Sequence, residues 1–428
     1  MMDISSTTAL NTSKTEKIPF TRYDLGWVVL CIGMAIGAGI IYLPIQVGLK
    51  GIWVFLAALL FAYPACYWMQ ALYLKSLSET SECEDYSNVI SQYLGKNWGV
   101  VLGVLYLLML FKGILGYSLT ITIDSAKYLQ TFGVTEGLLS QNIWYILGLL
   151  TFLVLIAAQG ERLLFRISGP MVVAKVAIVV LLGIVMVPYW DFSNIPGFPP
   201  VLSFVRDTIL TLPFALFSIL FLQILSPMNI AFRKTEPDPQ KATYRALRVN
   251  SIAFIVLVVC VLFFALSFTF SINHEQAVSA KQQNISALAL AASVLSGKTI
   301  AIMSVLLNVF AIVTAFFAIF LGVYEAFKGI IINLLSRIMN VANIPNFIVQ
   351  IGICAIIILI LWGWVALDFS VIAMIQFLSP LNGIVGFIIP CCLILKVPAL
   401  RKFITPSYWY VFGFGVVFCF APLLKFFE

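Results

Sequence analysis

The chain has 428 residues, of which 62% are hydrophobic and only 10% are charged, and its mean hydropathy is +1.05. This composition excludes an ordinary soluble domain and indicates a membrane protein. The formal net charge of +7 comes from lysines and arginines between apolar segments, so it gives no reason to expect nucleic acid as a partner.

Eleven uncharged or nearly uncharged spans follow one another along the chain. Each can cross a hydrocarbon core of roughly 30 Å as a helix that rises about 1.5 Å per residue. The alternating pattern of a β-barrel is absent, so the sequence predicts an all-α integral membrane protein with eleven transmembrane helices. The spans are 25–49, 51–74, 97–123, 137–160, 167–190, 208–232, 249–273, 299–324, 338–367, 369–395 and 403–424.

The first span carries breakers in its middle. Residues 33–44 contain Gly33, Gly37, Gly39 and Pro44, although glycine costs about 1 kcal/mol and proline about 3 kcal/mol inside a helix. A broken membrane helix is tolerated where its freed backbone groups line a cavity or are buried in protein. We therefore predict an unwound segment near Gly37–Gly39 that forms a binding site; a kinked, closely packed helix is the alternative.

The third and fifth spans carry the only charged residues within the spans, Lys112 and Lys175. A buried ammonium is costly and readily gives up its proton, so each lysine is a candidate proton carrier. The alternatives for Lys175 are a structural lysine bonded to unwound carbonyls and a lysine that snorkels to the inner surface. A structural or substrate-carboxylate role is the alternative for Lys112. Since no span contains Asp or Glu, we expect no buried carboxylate in the core.

The sixth span is interrupted as well, by Pro213, Ser218 and Pro227. Paired interruptions in two halves of a chain indicate the binding site of a transporter. Because five spans separate the two, the second half should be inverted relative to the first. This predicts a 5+5 inverted repeat with repeat one at 25–190, repeat two at 203–395, an extra helix at 403–424, and a polar tail at 1–24 in front of a single transmembrane domain.

The loops predict the orientation. With the N-terminus in the cytoplasm, 17 of the 25 lysines and arginines fall on the inner side and 6 on the outer side. The positive-inside rule then places the N-terminus in the cytoplasm and the C-terminus in the periplasm of a bacterial inner membrane. The single histidine and the scattered cysteines make no zinc-ligand pattern, so we expect no metal, no cofactor and no enzyme. A channel or sensor would not need paired broken helices.

Short motifs along nearly the whole chain agree with one transporter family. They are Gly37–Gln46, Leu105-Tyr106, Tyr117-Ser118, Gly160-Glu161, Phe217-Ser218, Lys281–Ser286, Leu321-Gly322, Glu325-Ala-Phe and Lys396–Lys402. In this order and spacing the sequence resembles the hydroxy and aromatic amino acid permeases of the amino acid-polyamine-organocation superfamily, and most of all their serine/threonine transporter branch. The resemblance implies a leucine-transporter-like fold and secondary uptake of an amino acid, usually coupled to protons.

A zwitterionic substrate needs donors for its carboxylate and acceptors for its ammonium. The half-helix after Gly39 offers N–H groups, and carbonyls before the break can accept. The run Ile219–Leu225 is nearly all apolar where the serine branch has polar residues, which favours a neutral substrate, serine- or threonine-like, or bulkier and even aromatic. The predicted substrate-binding residues are Met34, Ala35, Gly37, Ala38, Gly39, Ile40, Tyr117, Ser218 and Phe221.

The sequence leaves two candidate coupling ions, the proton and sodium. In the superfamily that shares this fold, proton-coupled members can place a lysine of the fifth helix where sodium-coupled members place an ion, and Lys175 matches that position by resemblance. Sodium held by the carbonyls of the first span and by Thr314 is the alternative.

Overall fold

The computed structural model describes residues 18–78, 93–159, 161–295, 297–336 and 346–427. The regular elements in these ranges are helices, joined by short turns. They are α1 (Arg22–Ala35), α2 (Ala38–Lys50), α3 (Ile52–Ser78), α4 (Lys96–Thr131), α5 (Ile143–Ala157), α6 (Glu161–Val185), α7 (Val201–Phe217), α8 (Leu222–Thr235), α9 (Pro239–Ser271), α10 (His274–Gln282), α11 (Ala287–Val294), α12 (Lys298–Ser336), α13 (Asn346–Ala366), α14 (Val371–Phe377), α15 (Ser379–Lys396) and α16 (Pro406–Phe420).

Nine helices among the described residues are long and apolar enough to cross a membrane, and the bent pair α1–α2 makes ten. The fourth predicted span corresponds to α5, which has only 15 residues. At about 1.5 Å per residue such a helix is roughly 22 Å long, short of the hydrocarbon core. The all-helical membrane class is therefore confirmed, whereas the count of eleven is not.

Both predicted interruptions are present as breaks between helices. α1 ends at Ala35, Ile36 and Gly37 leave the helix, and α2 starts at Ala38 with its axis bent by 46°. The break thus falls slightly before the predicted Gly37–Gly39, and Gly39 lies in the first turn of α2. In the sixth span α7 ends at Phe217 and α8 starts at Leu222.

The two breaks meet through Gly39. A Cβ atom built on this glycine would lie 2.2 Å from the backbone of Phe217 and 2.4 Å from the amide nitrogen of Ser218. Only a residue without a side chain lets α2 approach the end of α7 this closely. The first turn of α2 and the end of α7 are therefore packed closely against each other beside the two breaks.

The contacts that lie at the two ends of the helix bundle distinguish one end from the other. At one end, which we call the basic face, Arg245 and Arg248 of α9 contact the fully buried carboxylate of Asp24 at 3.1 and 3.5 Å. Arg248 also donates to the carbonyl of Ile18 at 2.7 Å. The last residues of the predicted tail are thus fixed to α9, while residues 1–17 lie outside the described part. We call the opposite end, capped by α10 and α11, the α11 face.

α4 and α12 run antiparallel through the bundle. Gly322 of α12 faces Leu110 of α4, Gly113 of α4 faces Ile319, and Asn308 bonds to the hydroxyl of Tyr128. The later part of α4 and the beginning of α12 therefore lie towards the α11 face. This pair, together with the α1–α2 break, forms the frame of the cavity.

Candidate substrate-binding site

A cavity of about 220 Å³ lies beside the two helix breaks. Most of its wall is apolar, and the polar side chains that reach it come from α4, α8 and α15. Its lining residues are Met34, Ala35, Gly37, Gly39, Tyr106, Met109, Leu110, Lys112, Gly113, Gly116, Tyr117, Thr120, Phe217, Leu220, Gln223, Ala315, Ala318, Ile319, Gly322, Val371, Met374, Ile375 and Asn382. Such a mixture of apolar wall and few polar groups is typical of a small-molecule site.

The helix ends at the cavity supply backbone polar groups. Among the residues that the structure describes, no side chain caps the start of α2 at Gly37 or the start of α8 at Phe221. The first N–H groups of a helix have no partner within the helix, and they carry the positive end of its dipole. The start of α2 can therefore bind an anionic group such as a carboxylate.

Five of the predicted substrate-binding residues line this cavity, namely Met34, Ala35, Gly37, Gly39 and Tyr117. All but Tyr117 belong to the break of the first span. The tyrosine approaches that break closely, because a Cβ on Gly37 would lie 2.7 Å from its hydroxyl. The structure therefore brings the aromatic side chain of α4 and the broken backbone to one place.

Three other predicted residues, Ile40, Ser218 and Phe221, are not among the lining residues and are fully or almost fully buried in the core. The hydroxyl of Ser218 donates to the carbonyl of Ala215 at 2.7 Å and lies 3.3 Å from the hydroxyl of Tyr63. The hydroxyl of Ser218 thus bonds to a backbone carbonyl at the end of α7 and does not face the cavity. Ala38, the remaining predicted residue, is the first residue of α2.

Lys112 projects into the cavity from α4. Its Nζ lies 4.5 Å from the centre of the Phe217 ring and 3.4 Å from the carbonyl of Leu378. A cation over an aromatic face is attracted by the ring quadrupole. Among the described lining residues there is no carboxylate, and Lys112 is the one basic side chain.

Lys175 lies behind the break and is only 1% exposed. Its Nζ donates to the carbonyl of Gly33 at 2.7 Å, to the carbonyl of Ile36 at 3.2 Å and to the hydroxyl of Thr314 at 3.0 Å. These are three acceptors for the three protons of an ammonium. Two of them are carbonyls at the end of α1, where the helix dipole favours a cation. Lys175 therefore ties α6 to the broken first span and to α12.

Sequence reasoning missed three polar residues of the cavity, Thr120, Gln223 and Asn382. Gln223 lies within the run Ile219–Leu225, whose other residues are apolar. A signal existed for Thr120, since Tyr117 and Thr120 are three residues apart and so share a face of α4. Asn382 directly precedes a π-helical turn, an irregularity that the regular helical period does not predict.

The expectation that the core holds no carboxylate is wrong. Asp124 lies in the membrane-spanning helix Asn97–Thr131 and is 1% exposed. The predicted third span ends one residue earlier, at Ile123, because hydropathy falls at the acid itself. The helix continues for two further turns, so Asp124 is buried between α4, α11 and α12. Asp124 lies on the same face of α4 as Thr120, four residues earlier.

A second cavity of about 310 Å³ shares Tyr106, Met109 and Gln223 with the first. It is also lined by Leu102, which lies nearer the start of α4. Since α4 begins at the basic face, the two cavities together lead from the helix breaks towards that face. The layer between the first cavity and the α11 face is closed to solvent, because Tyr42, Asp124 and Asn308 are all at most 1% exposed.

The sequence matches curated transporters over most of its length. It is 48% identical over 414 residues to a protein of Escherichia coli K12 named "Probable serine transporter", covering 96% of this chain and 94% of the relative. It is 26% identical over 407 residues to "Serine transporter SdaC" of the same organism, covering 91% and 92%. It is 25% identical over 354 residues to "Threonine/serine transporter TdcC" of Edwardsiella piscicida, covering 77% and 79%.

Solved structures with the same fold are transporters as well. A manganese transporter of Eremococcus coleocola aligns with a TM-score of 0.53 at 12% identity over 98% of this chain and 92% of its own. MHP1, a nucleobase-cation-symport-1 family transporter, aligns with a TM-score of 0.55 at 11% identity over 94% and 92%. These likenesses show the fold alone and agree with a leucine-transporter-like architecture.

No family model matches the chain. The relatives are named transporters and not enzymes, as the sequence predicted. Identity of 48% over nearly the full length of a relative is decisive for membership. The chain belongs to the hydroxy and aromatic amino acid permease family, in its serine/threonine transporter branch.

Proposed function

We propose that this protein is a secondary active transporter that imports serine, or a closely similar small neutral amino acid, together with a proton. The observation that carries the proposal is the cavity beside two broken helices, with the ammonium of Lys175 seated on the carbonyls of the first break. The serine transporters among its relatives support the choice of substrate.

The cavity supplies a partner for each part of an amino acid. The uncapped start of α2 offers N–H groups to the carboxylate, and the carbonyls near Ala35 offer acceptors to the ammonium. Thr120, Gln223 and Asn382 can bond to a side-chain hydroxyl. These three groups favour serine or threonine over the bulkier aromatic substrates that the apolar run after Ser218 predicts, since a bound aromatic ring would leave polar groups unpaired.

Lys175 is the proposed proton carrier. As an ammonium it fills three acceptors, and after losing a proton it has only two N–H donors for them. Deprotonation therefore loosens the contact between α6, the end of α1 and Thr314 of α12. Such a local change can bias a movement of the broken first span relative to its neighbours.

Sodium is the alternative coupling ion, and the same geometry disfavours it. The oxygens that a sodium ion would use are those of Gly33, Ile36 and Thr314, which already accept from Lys175. A second cation at this place would have to displace the ammonium or share its acceptors. The proton therefore remains the better supported partner.

Lys112 is a second candidate for a role in transport. Its charge reaches the cavity wall, whereas Lys175 lies one layer behind it. We propose that Lys112 attracts the substrate carboxylate and that proton transfer is left to Lys175. A proton role for Lys112 is the alternative.

The finer architecture follows the same fold. We propose that residues 25–190 and 203–395 are inverted repeats, with 403–424 as an added helix behind a tail at 1–24. The positive-inside rule assigns the basic face to the cytoplasm of a bacterial inner membrane, the N-terminus to the same side and the C-terminus to the periplasm. The cavities then lead to the cytoplasm, which corresponds to an inward-facing state.

Uptake by the purified, full-length protein in sodium-free liposomes tests the proposal. With an acidic exterior, radiolabelled L-serine should accumulate above its external concentration, and unlabelled L-threonine should compete better than L-phenylalanine. Accumulation that follows a sodium gradient and ignores pH would refute proton coupling. Equilibration without accumulation would identify a channel, and indifference to serine would refute the substrate.

Lys175→Met separates coupling from binding. The variant should exchange labelled for unlabelled serine across the liposome membrane but should not concentrate it under a pH gradient. Lys127→Met is the matched control, because Lys127 lies near the end of α4 and its ammonium donates to the side chain of Gln130, one turn along the same helix, at 3.2 Å. If Lys175→Met concentrates serine as well as this control does, Lys175 does not carry the proton.

A further inference from the structure

Asp124 forms a buried polar cluster on the α11 side of the cavity. Its Oδ1 accepts from the backbone N–H of Ser286 at 2.9 Å, and its Oδ2 accepts from Nδ2 of Asn308 at 2.5 Å. Ser286 is the residue that caps α11, since its hydroxyl accepts from the N–H of Ala289. One carboxyl group therefore joins α4, α11 and α12 at the closed end of the cavity.

The carboxyl group has no cationic partner among the described residues. Its donors are the backbone N–H and the hydroxyl of Ser286 and the amide of Asn308, all of them neutral, and the group is 1% exposed. A buried carboxylate without a counter-charge is strongly disfavoured, and such groups neutralise instead by taking a proton. Asp207 offers the contrast within the same chain, because that buried aspartate contacts Lys50 at 3.2 Å and Arg206 at 2.9 Å.

Within the described ranges, the helices packed against it place no positive charge beside it, and Lys127, one turn later on α4, directs its ammonium at the amide oxygen of Gln130 at 3.2 Å. Asp124 interacts electrostatically with the hydroxyls of Tyr42 on α2 and Tyr128 on α4. On α5 the nearest titratable group is Tyr145, whose hydroxyl bonds to the neighbouring Ser125 at 2.7 Å. α11 and α14 carry no ionisable side chain. On α12 the first charge is Lys298, about 15 Å along the helix from the polar cluster.

Asn308 can accommodate both protonation states of this carboxyl group. Its amide now directs Nδ2 at the carboxyl, at Tyr128 and at Ser286, while its Oδ1 is buried with no hydrogen-bond partner in the described part of the chain. A half-turn of the amide would present the oxygen, which can accept from a protonated carboxyl. The hydroxyl of Ser304, one turn earlier on the same face of α12, is also buried without a partner.

We propose that Asp124 is a proton-binding site, distinct from Lys175, whose occupancy stabilises the closed α11 face. The carboxylate takes one proton from the aqueous phase at that face to form the neutral acid when α11 closes over it. It releases the proton to the same phase when α11 moves away and water reaches the group. Lower pH at this face should therefore favour closure.

The first test is spectroscopic and needs no substrate. Infrared difference spectra of the full-length protein in lipid nanodiscs between about pH 5 and pH 8 should contain the carbonyl stretch of a protonated carboxyl. Asp124→Asn should lack this band, whereas the matched control Asp207→Asn should keep it. A wild-type protein without an Asp124-dependent band over this range would overturn the proposal.

The second test follows α11 itself. Hydrogen–deuterium exchange of residues 284–294, corrected for the intrinsic rate at each pH, should slow as the pH falls in the wild type. One linked proton changes the open–closed equilibrium by at most about tenfold per pH unit. Asp124→Asn, which is always neutral, should be protected at every pH. The same pH dependence in this variant and the wild type would contradict the proposal.

The tests also separate this site from the proposed transport activity. Asp124→Ser, which keeps an acceptor for the N–H of Ser286, replaces Asp124→Asn if that variant does not fold. Both readouts use protein without substrate. Failure of serine uptake would therefore refute the transport proposal and leave the infrared and hydrogen-exchange results unaffected. Loss of the pH response, with uptake retained, would refute only the role of Asp124.

Discussion

Replacing Gly39 by alanine should disable transport while the helices still form. The added Cβ would lie 2.2 Å from the backbone carbon and oxygen of Phe217, whereas ordinary contacts begin at 3.4 Å. α2 and the end of α7 must then separate by about 1.2 Å, because backbone atoms cannot rotate away as a side chain can. Overpacking of this kind costs about 1–3 kcal/mol. The clash is with protein backbone and does not depend on the space that the substrate occupies.

The functional loss should exceed the loss of stability. A displacement of about 1 Å at a binding site can reduce a rate roughly 100-fold, and both broken segments line the cavity through Gly39 and Phe217. Serine uptake under a pH gradient and thermal unfolding in detergent measure the two effects. Gly26→Ala is the control, since nothing lies within 4 Å of that added Cβ. Equal uptake by the two variants would refute the backbone-contact argument.

Three further outcomes are expected. Lys112→Met should raise the KM for all amino acid substrates by about tenfold or more, since the cation that faces their common carboxylate is lost; a change restricted to serine would contradict this. Gln223→Leu should raise the KM for serine about tenfold but leave that for alanine nearly unchanged, because only serine bonds to the amide; equal effects on both substrates would exclude that bond. Asp24→Asn should lower the free energy of unfolding by about 1–3 kcal/mol, because Arg245 and Arg248 lose a charged acceptor, and an unchanged melting temperature would show that the pair adds no stability.

The sequence alone predicted the class of the protein and the place of its helix breaks. Long apolar spans are decisive because every backbone polar group in lipid must be bonded within the segment. Gly37 then indicated the first break by the same local physics, since its helix propensity does not depend on distant contacts, whereas Pro44 lies inside α2 and marks no break. The family resemblance rested on short motifs and is confirmed by the 48% identical relative.

The tertiary structure decided which residues face the cavity. Ser218 is adjacent to the second break in sequence, yet its hydroxyl bonds to the end of its own helix. Gln223 and Asn382 face the cavity because of how α8 and α15 are turned against their neighbours. Side-chain direction at an irregular segment depends on packing across the bundle, which no local pattern encodes.

Asp124 is the clearest example of the difference between what local sequence predicts and what the tertiary structure decides. Hydropathy treats an acid as the end of a span, because an unpartnered carboxylate is costly inside the membrane. Here the helix continues, and donors from two distant segments, Ser286 and Asn308, make burial of the carboxyl group tolerable. The sequence determined the membrane fold and its breaks because those follow from local composition. Only the tertiary structure decided where charge can be buried, because the partners that permit it are 162 and 184 residues away along the chain.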